Sequence, residues 1–325
     1  MILQNEQDKQ GKKDTADKTA ILKIITDNVE KVLFGKREII ELAICSFLCG
    51  GHILIEDIPG VGKTSLASAL ARSFSCSFRR IQFTPDIMPA DITGFSMYNP
   101  KTGDFEYKEG LIAAQIILAD EINRTPPKTQ SSLMEIMEEN QKTVDGRTYP
   151  LPSPFIVLAT QNPIEYVGTY PLPEAQLDRF FMRISIGYPP AEIESNMLSV
   201  LNCGKPLDDI AAVASEHDLI ELQSALSGIH AAQKINDYII EIINATRNNA
   251  DVGLGASPRA SFCLFRAAQA WAMYNGRDYV CPDDVIKMAP PVLEHRIVLK
   301  QEAKIKKITP ESIVNSAVRS VKVPI

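Results

Sequence analysis

Two hydrophobic rhythms divide this chain. Up to about residue 188, short continuous apolar runs alternate with stretches whose apolar residues recur at helical spacing; beyond Tyr188-Pro189-Pro190 the pattern is helical almost throughout. The runs at Ile53-Leu54-Ile55, Arg80-Ile81-Gln82-Phe83, Ile116 to Ala119, Phe155 to Ala159 and Met182 to Ile186 read as strands, and the first is of the kind a buried parallel strand shows. Helical spacing covers Ile21 to Val32, Glu38 to Cys49, the Ala- and Leu-rich segment after Lys63, and a segment that Thr125-Pro126-Pro127 opens and that runs to about Glu139. There Pro126 suits the first helical position, and Leu133, Ile136 and Met137 form one apolar face. Two hairpins are predicted. Aromatics flank the turn from Asn99 to Asp104, and Val144-Asp145-Gly146-Arg147 carries a two-residue turn signal. Phe95, Tyr98, Phe105 and Tyr107 brace the first hairpin, and Thr84 to Gly94 reads as loop. The polar stretch 1–17 reads as a frayed lead-in, so the division is 1–17, an α/β unit over 18–188 and a helical unit over 189–325.

Length and composition narrow the classes. The 325 residues suffice for two domains, and 45% apolar with 23% charged residues is ordinary globular usage. Thirty-four basic against forty acidic residues leave a net charge of −6, which argues against a broad nucleic-acid footprint. The six cysteines are scattered, with no C-x-x-C; Cys45 and Cys49 share an apolar helix and read as buried free thiols. A reduced, cytoplasmic protein without a zinc site is expected. With no apolar run near about 18 residues and no signal-peptide h-region, neither a membrane span nor export is indicated.

The candidate chemistry gathers where strands end. Ile53 to Ile55 run into a glycine-bearing turn, Pro59-Gly60-Val61-Gly62, and then Lys63-Thr64-Ser65 open a helix. Strand, glycine turn, Lys-Thr, helix is the P-loop arrangement. The glycines let successive backbone N–H groups face a phosphate, and Lys63 reaches the β- and γ-phosphates. The Thr64 hydroxyl is a Mg²⁺ ligand, and the helix N-terminus adds positive potential. Asp57 stands where the generic pattern has its first glycine. A strand ending in Asp120-Glu121 supplies one carboxylate for the Mg²⁺ shell and one to orient water. Asn162 lies just past another strand end, where open α/β sheets bind ligands. Val32 to Gly35 are placed to pack beside a base. In the helical part Ser257 reads as an N-cap and Pro258 as the first position of a helix through Trp271, which puts Arg259 in a first turn that disfavours a cation; a bound anion would remove that conflict.

Taken together, these motifs resemble an AAA+ ATPase, and the MoxR family in particular. The resemblance rests on Asp57 to Thr64, Leu118 to Gln130, Ala159 to Pro163, Pro173 to Phe180 and Gly255 to Arg259, in that order and spacing, and covers about residues 20–320. It implies an αβα core with a five-stranded parallel sheet, hairpin inserts near 95–107 and 141–151, and an α-helical lid from about 190. Pro59 to Thr64 then correspond to Walker A, Asp120-Glu121 to Walker B, Asn162 to sensor 1 and Arg259 to sensor 2. Arg179 corresponds to an arginine finger entering a neighbour's site, and Arg124 is a second candidate for an interface contact. Glu294 stands where many relatives carry Arg.

What the resemblance implies of function is ATP hydrolysis with Mg²⁺ in a homo-oligomeric ring, commonly hexameric, that remodels or matures other proteins. Proteins with von Willebrand factor A domains are the implied partners. Two alternatives stay open: a nucleotide-gated assembly scaffold in which hydrolysis is incidental, and a magnesium-chelatase-like ATPase subunit.

Overall fold

The computed structural model describes residues 18–162 and 168–324; the expected lead-in over 1–17 lies outside the described residues. The chain enters through two helices, α1 (18–30) and α2 (Arg37–Leu48), followed by β1 (Ile53–Glu56) and α3 (Lys63–Ser73). Next come β2 (Phe78–Gln82), a short α4 (Pro89–Thr93) and a hairpin of β3 (Gly94–Asn99) with β4 (Asp104–Glu109). Strand β5 (Ile116–Asp120), α5 (Pro127–Glu139) and a second hairpin of β6 (Gln141–Val144) with β7 (Arg147–Pro150) precede β8 (Ile156–Gln161). A single turn, α6 (Glu174–Leu177), leads to β9 (Met182–Ile184).

Five strands form one sheet in the order β2-β5-β8-β1-β9, every pair parallel. Side chains alternate across a strand, so each apolar run serves both faces. Ile53, Ile55, Ile116, Leu118, Ile156 and Leu158 face the cluster built with α1, α2 and α3. Leu54, Ile117, Ala119, Val157 and Ala159 face the opposite cluster, with Leu133, Met134 and Met137 of α5. That double burial is why the central strands read as unbroken hydrophobic runs. Because the pairing is parallel, the C-terminal ends lie at one edge: Glu56 is level with Gln161, and Gln82 with Asp120.

The rest is mainly helical: α7 (Ala191–Cys203), α8 (Glu216–Ala225), α9 (Gln233–Arg247), α10 (Pro258–Tyr274), α11 (Pro282–Leu293), α12 (Gln301–Ile305) and α13 (Pro310–Ser320). Its buried residues, among them Leu219, Ile239, Leu264, Val285 and Val314, continue the cluster on the α1–α3 side of the sheet.

Several local expectations shift. β2 begins at Phe78, because it pairs with β5 from Phe78 opposite Ile116 onward; as an edge strand with exposed Arg79, Arg80 and Gln82 it carries only a weak apolar signal. The 84–94 loop contains α4, with Pro89 in its first turn and the Asp91 carboxylate accepting from the Met88 N–H at 2.8 Å. Pro126 is the N-cap of α5 and Pro127 takes the first position. The helical part also holds an antiparallel pair, β10 (Val252–Leu254) with β11 (Val298–Leu299), which is too short for periodicity to reveal.

Candidate functional site

Beyond the end of β1 the chain makes a turn in which Gly60 and Gly62 adopt φ of +86° and +98°, the left-handed region that glycine enters without strain. A side chain at Gly62 would also meet Leu33, 2.9 Å from its Cδ1. Gly62 is the N-cap of α3 and no side chain caps this helix, so its first-turn N–H groups remain available to an anion. Pro59, Gly60, Gly62, Lys63, Thr64 and Ser65 line a cleft of about 240 Å³, and Asp120, Glu121 and Asn162 close it from the neighbouring strand ends. The sheet thus brings together most of the residues singled out in the sequence. Lys63 is half-buried and its ammonium donates to the Asp57 carbonyl at 2.5 Å; burial pulls its pKa down, against the pull of Asp57, Asp120 and Glu121. Val61 lines an adjoining hollow of about 460 Å³ with Val32, Leu33, Phe34, Tyr188 and Pro189, which is where a base beside Val32 to Gly35 was expected.

Asp57, the departure from the generic P-loop, has a structural task. Its carboxylate is buried and accepts from the N–H groups of Ile186 (2.6 Å) and Gly187 (2.7 Å) and from the Ser185 hydroxyl (3.1 Å), while the other oxygen accepts from the Ile58 N–H (2.9 Å). The start of the loop is clasped to the chain leaving β9.

Asp120 and Glu121 are held from β8 and β2. The Thr160 hydroxyl donates to Asp120 Oδ1 at 2.6 Å and accepts the Glu121 N–H at 2.9 Å, where Glu121 turns out of the strand with φ +57°. The Arg80 guanidinium donates twice to Asp120 Oδ2, at 2.6 and 3.1 Å, and to Gln82 Oε1 at 3.0 Å. Gln82 in turn donates to Glu121 Oε2 at 2.6 Å, and Arg124 lies 3.1 Å from the same oxygen. Arg124 thereby braces its own chain's Glu121. Arg80, Gln82 and Thr160 escaped the sequence reading. The available signal was Arg80 and Gln82 two positions apart, hence on one face of a strand, beside a strand ending in carboxylates.

The residues present suit a Mg²⁺–nucleotide complex. The Thr64 hydroxyl and Asp120 carboxylate are hard oxygen donors, and among the described residues no cluster of three His, Cys, Asp or Glu side chains could hold a metal unaided, so phosphate and water would complete its shell. Cys45, Cys49, Cys76, Cys263 and Cys281 are free thiols.

Two candidates lie elsewhere. Arg179 and Arg259 both pair with Glu138, each at 3.0 Å, and neither lines the cleft. Glu138 sits near the end of α5, next to Met137, whose carbonyl bonds to His52 just before β1. That is the rim of the sheet opposite the P-loop. Glu138 is also the anion that offsets Arg259 in the first turn of α10, whose N-cap Ser257 accepts from the Ala260 N–H at 3.2 Å. The neighbouring Asp178 carboxylate is engaged elsewhere: it accepts from Ser257 and from the Arg296 Nε at 2.8 Å.

A parallel sheet with a glycine turn opening a helix, paired carboxylates at a nearby strand end and an appended helical unit is the arrangement of a P-loop nucleotide-binding protein with a lid. Comparisons with known proteins agree. The model for the ATPase family associated with various cellular activities (AAA) matches residues 52–182, and that for an AAA lid domain matches residues 244–317. The chain is 50% identical to the uncharacterized protein YeaC of Bacillus subtilis, covering 92% of this chain and 93% of that one. It is 41% identical to the chaperone MoxR1 of Mycobacterium tuberculosis, over 91% of this chain and 80% of the other. The crystal structure of a candidate ATPase from Cytophaga hutchinsonii superposes with a TM-score of 0.90 at 39% identity, covering 98% of this chain and 99% of that one. The chain belongs to the MoxR family of AAA+ ATPases.

Proposed function

We propose that this protein binds ATP with Mg²⁺ and hydrolyses it at the boundaries between subunits of a homo-oligomeric ring, hexameric as is common in its fold family. Hydrolysis drives chaperone-like remodelling or maturation of partner proteins, with von Willebrand factor A domain proteins as the expected clients. The 41% identity to the chaperone MoxR1 supports that kind of work. A cytoplasmic location accords with the free thiols.

In this reading the turn from Pro59 to Thr64, with Ser65, wraps the phosphates and Lys63 offsets their charge. Thr64 and Asp120 hold the metal, which when bound neutralises charge on the β- and γ-phosphates. Glu121 orients the attacking water and Asn162 supports it. The observation that carries the shared-site reading is the pairing of Arg179 and Arg259 on Glu138 at the rim away from their own cleft. Two cations on one exposed carboxylate are positioned to be handed to an anion on a neighbouring subunit. Arg259 is accordingly assigned with Arg179 to the adjacent subunit's nucleotide.

The test is ATP turnover per subunit across a wide range of protein concentration, with Arg179→Ala in parallel. Turnover per subunit should climb with concentration and fall by about 10³-fold or more in the variant, while ATP binding is kept. Turnover independent of dilution, with an active Arg179→Ala protein, would refute the shared site.

A further inference from the structure

The Asp120 carboxylate has no free oxygen in the fold as it stands. Oδ1 accepts from Thr160, and Oδ2 accepts two bonds from Arg80, one at 2.6 Å. Arg80 is the group that sets this arrangement apart. It is a permanent cation, it lines the nucleotide cleft, and it reaches in from the edge strand β2 with half of its side chain in water. Thr160 can keep its bond while Asp120 serves a metal, because it uses the oxygen on the β8 side. A guanidinium on Oδ2 competes with a divalent cation drawn to the same charge.

We propose that Arg80 is a positioning residue that holds Oδ2 of Asp120 in competition with Mg²⁺, so that it sets the metal concentration the site requires. This rests on the Mg²⁺–nucleotide reading of the cleft. The displaced guanidinium is close enough to remain in the cleft and face the phosphate charge that arrives with the metal. The exchange extends to the water-orienting carboxylate. Arg80 also donates to Gln82 Oε1, and Gln82 donates to Glu121, so removing the guanidinium loosens Glu121 at the moment the metal enters. The pair is half-exposed on the arginine side, and ion pairs of that kind contribute modestly, so the competition amounts to about three- to fivefold in apparent metal affinity.

Mn²⁺ binding, followed by electron paramagnetic resonance of the free ion, tests this on the full chain saturated with ADP and without turnover. Wild type, Arg80→Ala and Arg80→Lys are compared, and Arg80→Gln replaces the alanine variant should that one not fold. Arg80→Ala or Arg80→Gln should bind Mn²⁺ about three- to fivefold more tightly than wild type, with Arg80→Lys between them. Unchanged or weaker Mn²⁺ binding in the neutral variants overturns the proposal while leaving the nucleotide site intact. Failure of wild type to bind Mn²⁺ with ADP would instead overturn the reading of the cleft on which it depends.

Discussion

At the scale of single residues, burial decides which polar groups carry structural weight. His52 is enclosed between β1, β8 and the end of α5. The Val157 N–H donates to its Nδ1 at 3.0 Å, so the ring proton sits on Nε2, which faces the Met137 carbonyl at 2.9 Å. Burial holds the imidazole neutral and pushes its pKa down to about 4; His295, buried against the Phe180 carbonyl, is lowered as well. A histidine depressed in the fold is neutral in both states above about pH 6.5, whereas below it only the unfolded chain gains the proton. Stability therefore falls as pH drops from about 6.5 towards 4. Between pH 7.5 and 5.5 His52 alone should cost about 1.3 kcal/mol, read as the pH dependence of urea unfolding that His52→Gln removes. Equal slopes for wild type and variant would contradict the buried neutral ring.

Among the elements, the two hairpins form a single unit. The turn at Asp145 and Gly146, with φ of +50° and +75°, is the tight type the sequence announced. Tyr98 packs edge-on against Phe105 across its own hairpin, as expected of a brace. Tyr107 does something else: its ring stacks on Tyr149 of the other hairpin, with centroids 4.4 Å apart, and the buried Lys142 ammonium lies 5.4 Å above it and 3.5 Å from Glu109. Phe95 and Met97 on one face of the first hairpin, and Tyr98 and Phe105 on the other, are exposed. A stacked ring pair contributes about 0.5–1.5 kcal/mol beyond its area. Tyr149→Ala should accordingly speed amide exchange across 94–109 by about two- to tenfold and leave the sheet strands unchanged. Uniform exchange throughout the chain would mean the hairpins are not coupled through this ring.

For the molecule as a whole, the question is what fastens the lid to the sheet edge that carries the cleft. Arg183 of β9 donates at 2.8 Å to Glu56, the last residue of β1, and at 2.8 Å to Glu294 beyond α11. Glu294 has its pKa raised by burial, opposed by Arg183. The acidic residue at this lid corner thus completes a bridge to the end of the P-loop strand. Arg183→Met strands two partly buried carboxylates and should lower stability by about 1–3 kcal/mol in urea unfolding, with part of the loss recovered when Glu294→Gln is added. No recovery in the double variant would dissociate Glu294 from the bridge.

Local chemistry made much of this protein legible from its sequence. Doubly buried strands announce themselves as apolar runs, glycines mark the turn that opens α3, and Ser257-Pro258 starts a helix, because each feature is settled by neighbours within a few positions. The end of β5 and the P-loop could be assigned to one cleft, since parallel pairing gathers strand ends at a single edge. Pairings between distant positions were decided only by the tertiary structure. Glu138 stands between Arg179 and Arg259, Arg80 lies on Asp120, and Asp57 clasps the backbone after β9. Beyond the two-residue spacing of Arg80 and Gln82, none of these has a periodic or turn signature. A charge in the sequence looks the same whether it ends in solvent, on a partner across the sheet or at the rim, and only the packing of strands and helices determines which carboxylate each guanidinium reaches.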